Sequence, residues 1–307
     1  MNDPKFLKFY QLHVMHYNEC QQYRHLVDNI FGNTNISDLR ELPFLPSTIF
    51  KRLALKSVPD EKVYKTMMSS GTAGQERSKI YLDKANAVAQ QKALISIVGS
   101  ALESSRAPML ILDSMSQIKN RSSFTARGAG ILGFMMFGTK RYFALDESVN
   151  IDIESMIQFA DVKTTKNKLL YGFTSIIWEE ILKKLKQNQA ILGDQPAVLI
   201  HGGGWKKLAN QNILPTTFIN EVKSKLGKNV KVIDYYGMVE QTGSIFLGCE
   251  DGYLHTNQYN DIIIRDPETF EVLRNGELGV VQVLSTLPRA YPGHSILTED
   301  LGYIVSE

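Results

Sequence analysis

The sequence predicts an α/β fold that passes, toward its end, into an antiparallel β module. Three observations predict it. Two short apolar runs, AVLIH (197–201) and NVKVIDYY (229–236), each lead directly into a glycine-containing turn, GGGW and GMVEQTG. Long helical patterns come before them, as in a sheet covered by helices. From residue 261 onward the pattern changes to strand-like runs, DIIIRD, FEVLRNGELGVVQVLS and LGYIVS, with Asn275-Gly276 as a hairpin turn.

Each element has a local reason. Residues 4 to 31 place Phe6, Tyr10, Val14, Tyr17, Val27 and Ile30 at near-helical spacing, which predicts one amphipathic helix ended by GNTN. Pro43 and Pro46 impose an extended path before a short helix at Ser47. IYLDKANAVAQQKALISIVGSALESS predicts a long helix capped by Asp83, and MLILD (109–113) a strand. GFTSIIWEEILKKLKQ predicts a helix with Thr174 or Ser175 as cap and Ile177, Ile181, Leu182 and Leu185 as buried stripe. Its acids (Glu179, Glu180) come early and its lysines (Lys183, Lys184, Lys186) late, which suits the helix dipole. There is no internal repeat and no low-complexity linker.

Composition narrows the function classes. With 43% hydrophobic and 21% charged residues over 307 positions, the chain can build a core without disulfide or metal. A net charge of +2 argues against a nucleic-acid footprint. Cys20 and Cys249 are too few for a disulfide framework and form no CxxC pair, which suggests a reducing, cytoplasmic setting. No apolar run approaches the roughly 20 residues of a membrane span, and the N-terminus lacks the apolar stretch of a signal peptide.

Three glycine patterns can hold phosphate. The Walker A pattern is not satisfied anywhere; LGKN (226–229) lacks both the upstream glycine and the hydroxyl residue. A GxGxxG pattern occurs at Gly128, Gly130 and Gly133. The preceding NRSSFT is a poor strand and the following FMMFGTK a poor long helix, so close backbone packing is the expected role. In SSGTAG (69–74) successive glycines let backbone N–H groups turn toward one anion, with hydroxyls from Ser69, Ser70 and Thr72 and charge from Arg77 and Lys79. The same pattern also fits a solvated turn. Its company separates the two readings: HGGGW and DYYGMVEQTG start at strand ends, where α/β sheets bind ligands, and LTEDLG follows with Asp300.

This order of motifs resembles the adenylate-forming superfamily of acyl-CoA synthetases. Within it the sequence is most similar to the LuxE-type acyl-protein synthetases, through LPFLPSTIFK (42–51), ILDSMSQIKNRSSFTARGAGILGFMMFG (111–138), FALDE (143–147), GFT (172–174) and HGGGWKKL (201–208). The resemblance implies a layered adenylate-forming large domain over residues 1–307, with a helical lead-in (1–60) and a mainly β portion (253–307). It implies ATP-dependent activation of a fatty or other carboxylic acid to an acyl-adenylate. The acyl group would pass to a thiol on a protein or carrier and feed an acyl reductase. ATP and Mg²⁺ are the implied cofactors. Ser69, Ser70, Gly71, Thr72 and Gly74 would hold the β- and γ-phosphates. Gly202, Gly203 and Gly204 would let adenine lie flat against backbone. Tyr236, beside Gly237 and Met238, would stack on adenine or line the acid pocket. Glu240 would bind Mg²⁺, and Asp300 would accept hydrogen bonds from both ribose hydroxyls. Glu240, Thr72 and His201, the last near the substrate carboxylate, would act in the chemistry, and the acid would lie in an apolar tunnel near residues 128–137.

The sequence departs from that pattern in places. Ala73 stands where the family carries a hydroxyl, and QERSK replaces its Pro-Lys ending. The family's hinge and small C-terminal domain, with an adenylation lysine and the acyl-accepting cysteine, are not within residues 1–307; truncation of a longer protein is the expectation. Cys249 is read as a buried structural cysteine, and His13 and His16 as a pair without a third metal ligand. Two other readings stay open: an aryl- or short-acid:CoA ligase with a smaller pocket, and a non-catalytic nucleotide- or acyl-adenylate-binding subunit.

Overall fold

A computed structural model describes residues 4–32, 36–69, 76–119, 126–186, 190–205, 208 and 211–305. The chain divides into two units: unit 1 is Met1–Leu94, Gly237–Ile245 and Thr256–Glu307, and unit 2 is Ile95–Tyr236 and Phe246–His255.

Two helices, α1 (Pro4–Glu19) and α2 (Gln21–Ile30), replace the single one expected, because Cys20 between them is extended at φ −118°, ψ 100°. The buried face of α1 is Phe6, Phe9, Leu12, His13 and His16, while Tyr10 and Val14 are exposed. Apolar periodicity misplaced this face because two histidines occupy core positions. Strand β1 (Leu45–Pro46) and helix α3 (Ile49–Arg52) follow the two prolines. Strands β2 (Lys65–Met68) and β3 (Lys79–Leu82) form an antiparallel hairpin. Helix α4 (Lys84–Leu102) begins as expected: Asp83 accepts the Asn86 N–H at 2.7 Å.

Unit 2 continues through β4 (Ala107–Ser114), α5 (Ser116–Lys119), α6 (Ala126–Phe134), β5 (Gly138–Leu145), α7 (Ile153–Ala160) and β6 (Lys168–Phe173). Then come α8 (Thr174–Ile176), prolonged by a π-helical turn (Ile177–Leu182), β7 (Ala197–Gly202), α9 (Pro215–Lys225), β8 (Val230–Tyr236), β9 (Phe246–Gly248) and β10 (Leu254–His255). The sheet order is β10-β9-β8-β7-β6-β4-β5. Strands β5, β4, β6, β7 and β8 are parallel; β9 and β10 pair antiparallel at one edge. The central strands β6 and β7 are buried almost throughout, as parallel strands covered on both faces must be. Ile177, Ile181, Leu182 and Leu185 are buried as expected, and the exposed side carries the pairs Glu179–Lys183 and Glu180–Lys184. All three glycines of the GxGxxG pattern lie inside α6, not in a turn after a strand. Gly130 has a packing reason, since a Cβ there would meet the Tyr171 hydroxyl at 2.7 Å and the Phe173 ring at 2.9 Å.

The last part of unit 1 is the expected antiparallel module: β11 (Asn260–Arg265), β12 (Gly279–Ser285) and β13 (Ser295–Gly302), with β1 added parallel to β13. Asn275-Gly276 does make a tight turn. Glu277 N–H donates to Arg274 O at 3.1 Å, and Gly276 takes φ +88°, a left-handed value that favours glycine. The expected strand LGYIVS keeps only Leu301 and Gly302, because β13 lies further upstream. Among the described residues no helix is long and apolar enough to cross a membrane.

Candidate active site

The candidate residues fall in both units. In unit 2, β6, β7 and β8 end side by side, so Thr174, His201 with Gly202, and Asp234 with Tyr235 and Tyr236 share one edge of the sheet. Thr174 or Ser175 was the expected helix cap, but Phe173 holds that position and no side chain caps the helix. The Thr174 hydroxyl instead contacts His201 Nδ1 at 2.9 Å and Gly202 O at 3.1 Å. A hydroxyl has one proton and a carbonyl can only accept, so Thr174 donates to Gly202 and accepts from His201. The imidazole thus carries its proton on Nδ1. Burial lowers the His201 pKa to about 3, which keeps it neutral. Its ring packs between Trp205 and Phe218, with centroids 5.9 and 4.8 Å away. Trp205 Nε1 donates to Asp234 Oδ2 at 3.0 Å, while burial raises the Asp234 pKa.

The glycine run after β7 serves aromatic packing. A Cβ at Gly202 would overlap the Tyr235 ring, and one at Gly203 (φ +90°) would meet the Phe173 ring at 2.7 Å. Gly204 (φ +71°) has nothing within 4 Å of that position. Tyr235 in turn touches the Tyr171 hydroxyl at 3.1 Å, and Tyr171 stacks on Phe134 at 4.0 Å. Tyr236, half-buried at the end of β8, lies 6.1 Å from Phe246.

In unit 1, Ser69 closes the β2–β3 hairpin: its N–H donates to Ser78 O at 3.0 Å and its Oγ accepts the Ser78 N–H at 2.9 Å. Ser70, Gly71, Thr72 and Gly74 lie outside the described residues, as do Lys206 and Lys207. Gly237 is exposed, and Met238 and Val239 are partly buried against the apolar cluster that includes Ile80, Leu82 and Tyr291. Glu240 is buried in a short 3-10 turn, Val239–Gln241. Half-buried Asp300 lies at an irregularity that the sequence did not announce. Between paired residues Gln282↔Leu297 and Val280↔Leu301, one residue of β12 faces three of β13. Thr298 Oγ1 stitches this bulge, donating to Val281 O at 2.8 Å and accepting the Asp300 N–H at 3.1 Å. Bulges re-aim side chains, and the Thr-x-Asp spacing was the available signal.

One other expectation changes. Cys249 is half-buried, not buried, because it starts the β9–β10 turn, and a hydrogen bond from His255 lowers its pKa. His13 and His16 belong to a buried cluster. Tyr23 OH lies 2.9 Å from His13 Nδ1 and 3.4 Å from His294 Nε2, and the His16 and His294 rings stack at 5.0 Å. Among the described residues no group of three or more His, Cys, Asp and Glu could hold a metal ion.

A family model described as "Acyl-protein synthetase, LuxE" matches residues 4–307. The chain belongs to the LuxE acyl-protein synthetase family. This LuxE chain is 25% identical over 301 residues to the long-chain-fatty-acid–luciferin-component ligase of Aliivibrio fischeri, covering 94% of this chain and 76% of that protein. It is 22% identical over 304 residues to the ligase of the same description from Vibrio harveyi, covering 95% and 77%. Among solved structures, 2-hydroxyisobutyryl-CoA ligase in complex with 2-HIB-AMP and CoA superposes with a TM-score of 0.69 at 14% identity, over 96% of this chain and 68% of that one. An ATP-bound RpMatB-BxBclM chimera gives 0.53 at 14% identity, over 80% and 46%. At such identities the likeness is one of fold. The LuxE chain has the α/β fold of the large domain of adenylate-forming ligases, and their small C-terminal domain is not matched.

Proposed function

We propose that this chain uses ATP to activate a fatty acid as its acyl-adenylate, for transfer to a thiol on a protein or carrier. The observation that carries the reading is the edge where three parallel strands end together, at Thr174, at His201 with Gly202, and at Asp234 to Tyr236. The fatty-acid ligases among its relatives and the ATP-bound structural neighbour support the choice of substrates.

In this reading a carboxylate oxygen attacks the α-phosphorus, the bond to the next phosphate breaks, and pyrophosphate leaves. Charge builds on the leaving phosphates, where fixed donors act most strongly. Ser69, Ser70, Gly71, Thr72 and Gly74 would supply such donors. A single buried carboxylate fits Mg²⁺, a hard ion that keeps several waters and shares phosphate oxygens, so Glu240 would hold it. Mg²⁺ would neutralise phosphate charge. In unit 1 Asp300, presented by the Thr298 bulge, would accept the ribose hydroxyls. In unit 2 the open face at Gly204 would take the purine, beside Gly202, Gly203 and Tyr236. His201, neutral and held by Thr174, would orient the strand end beside the carboxylate.

A smaller or aromatic acid is the second reading. One observation favours it: Phe134, Tyr171 and Tyr235 close on each other at the end of α6, where the tunnel for a long acid was expected. Acid-dependent pyrophosphate exchange, measured from acetate and benzoate to long-chain acids, separates the two. Exchange that rises with chain length is expected; exchange confined to short or aryl acids selects the second reading. Calorimetry with Mg²⁺ that detects neither ATP nor AMP binding would overturn both.

A further inference from the structure

We propose that Tyr291 is a positioning residue for Glu240, holding its turn where the carboxylate can reach a metal-bound phosphate. This rests on the reading of Glu240 as the Mg²⁺ ligand.

A single 3-10 turn has too few internal hydrogen bonds to hold its own place. The Glu240 turn is held from outside, within unit 1. The Tyr291 hydroxyl donates to the Glu240 backbone oxygen at 2.8 Å and accepts from Gln90 Nε2 at 3.5 Å. Tyr291 is fully buried, and a backbone carbonyl can only accept, so the single hydroxyl proton points at Glu240 O. Gln241 Nε2 donates to Gly293 O and Val283 O, both at 2.9 Å. Gly293 must lack a side chain, since a Cβ there would overlap the Tyr291 ring and lie 2.8 Å from Glu240 O. Gly243 (φ +85°) backs onto Gln90, whose Cα would lie 2.8 Å from an added Cβ.

The segment that carries Tyr291 is anchored on its own far side. Asn86 Oδ1 accepts the N–H groups of Arg289 and Ala290, each at 2.9 Å, and Asn86 Nδ2 donates to Leu287 O at 2.9 Å. His16 Nε2 donates to Pro288 O at 3.1 Å. Glu240 therefore cannot shift without breaking a buried hydrogen bond or displacing an anchored loop. Groups that orient a metal ligand commonly change metal affinity tenfold or more when removed.

Tyr291→Phe keeps the ring against Phe50, 6.2 Å away, and deletes only the hydroxyl. The test is calorimetric titration of the chain with ATP over a series of Mg²⁺ concentrations, beside titration with AMP. Tyr291→Phe is expected to raise the half-effective Mg²⁺ concentration about tenfold and to leave AMP affinity within about twofold. In a Glu240→Gln background it should add nothing. An unchanged Mg²⁺ dependence for Tyr291→Phe, where Glu240→Gln does shift it, overturns the positioning role alone. Equal weakening of ATP and AMP, or an additive effect in the Glu240→Gln background, overturns it too, because a merely structural role behaves that way. If Glu240→Gln itself leaves the Mg²⁺ dependence unchanged, the assignment of Glu240 falls and the inference with it.

Discussion

The two units hold their candidate residues by different forces. In unit 2 the strand ends are set by volume: Gly202 and Gly203 leave room for the rings of Tyr235 and Phe173, and His201 is enclosed by Trp205 and Phe218. In unit 1 the Glu240 turn is set by polar atoms, with Tyr291, Gln241, Asn86 and His16 each making buried hydrogen bonds to backbone. Packing tolerates the loss of a hydrogen but not an added methyl. A buried polar brace behaves in the opposite way, because each orphaned partner keeps its desolvation cost.

Acid should expose the contrast most. In the folded chain His13 titrates near 4 and His16 near 3, and burial also holds His294 well below the ordinary 6.5. The unfolded chain therefore takes up protons first. The stability these neutral rings contribute is complete above about pH 6.5 and is lost as pH falls toward 4, at about 1.4 kcal/mol per pH unit for each. Unit 2 has His201 in the same condition. Three such groups against one predict that unit 1 gives way first. Both tryptophans, Trp178 and Trp205, lie in unit 2, so far-UV circular dichroism should decay before tryptophan fluorescence changes. Coincident curves would show that the units do not differ in this way.

Asn86→Leu comes next. It keeps the volume but orphans two N–H groups and a carbonyl, and about 3–5 kcal/mol of stability should be lost by urea titration. A loss under about 1 kcal/mol would mean that the brace is not what holds residues 287–290. Gly202→Ala should cost less, about 1–3 kcal/mol, because the Tyr235 ring can tilt away. Its fluorescence melting point should fall while the acid midpoint of the dichroism stays put. If that acid midpoint moved as well, the division between volume and polarity would be wrong.

Much of this was legible in the sequence because it is local. The AVLIH and NVKVIDYY strands, the Asp83 cap and the Asn275-Gly276 turn follow from neighbouring residues, and all appear. The parallel strands β5 and β6 were not foreseen: residues 138–145 mix exposed Thr139, Lys140 and Arg141 with a buried end, as an edge strand does. The break at Cys20 was missed for a related reason. Nothing local shows that His13 and His16 point inward, since their partners Tyr23, Ser57 and His294 come from other segments.

By itself, then, the sequence determined the order of strands, glycines and acidic residues that marks the LuxE family, because that order is written in consecutive side chains. Only the tertiary structure decided what those residues touch. Thr174 serves His201 and not a helix end, the Thr298 bulge presents Asp300, and Tyr291 reaches Glu240 across 51 positions of chain. The physical reason is that a buried hydroxyl or amide must find a partner wherever the fold brings one, and sequence neighbours do not say where that is.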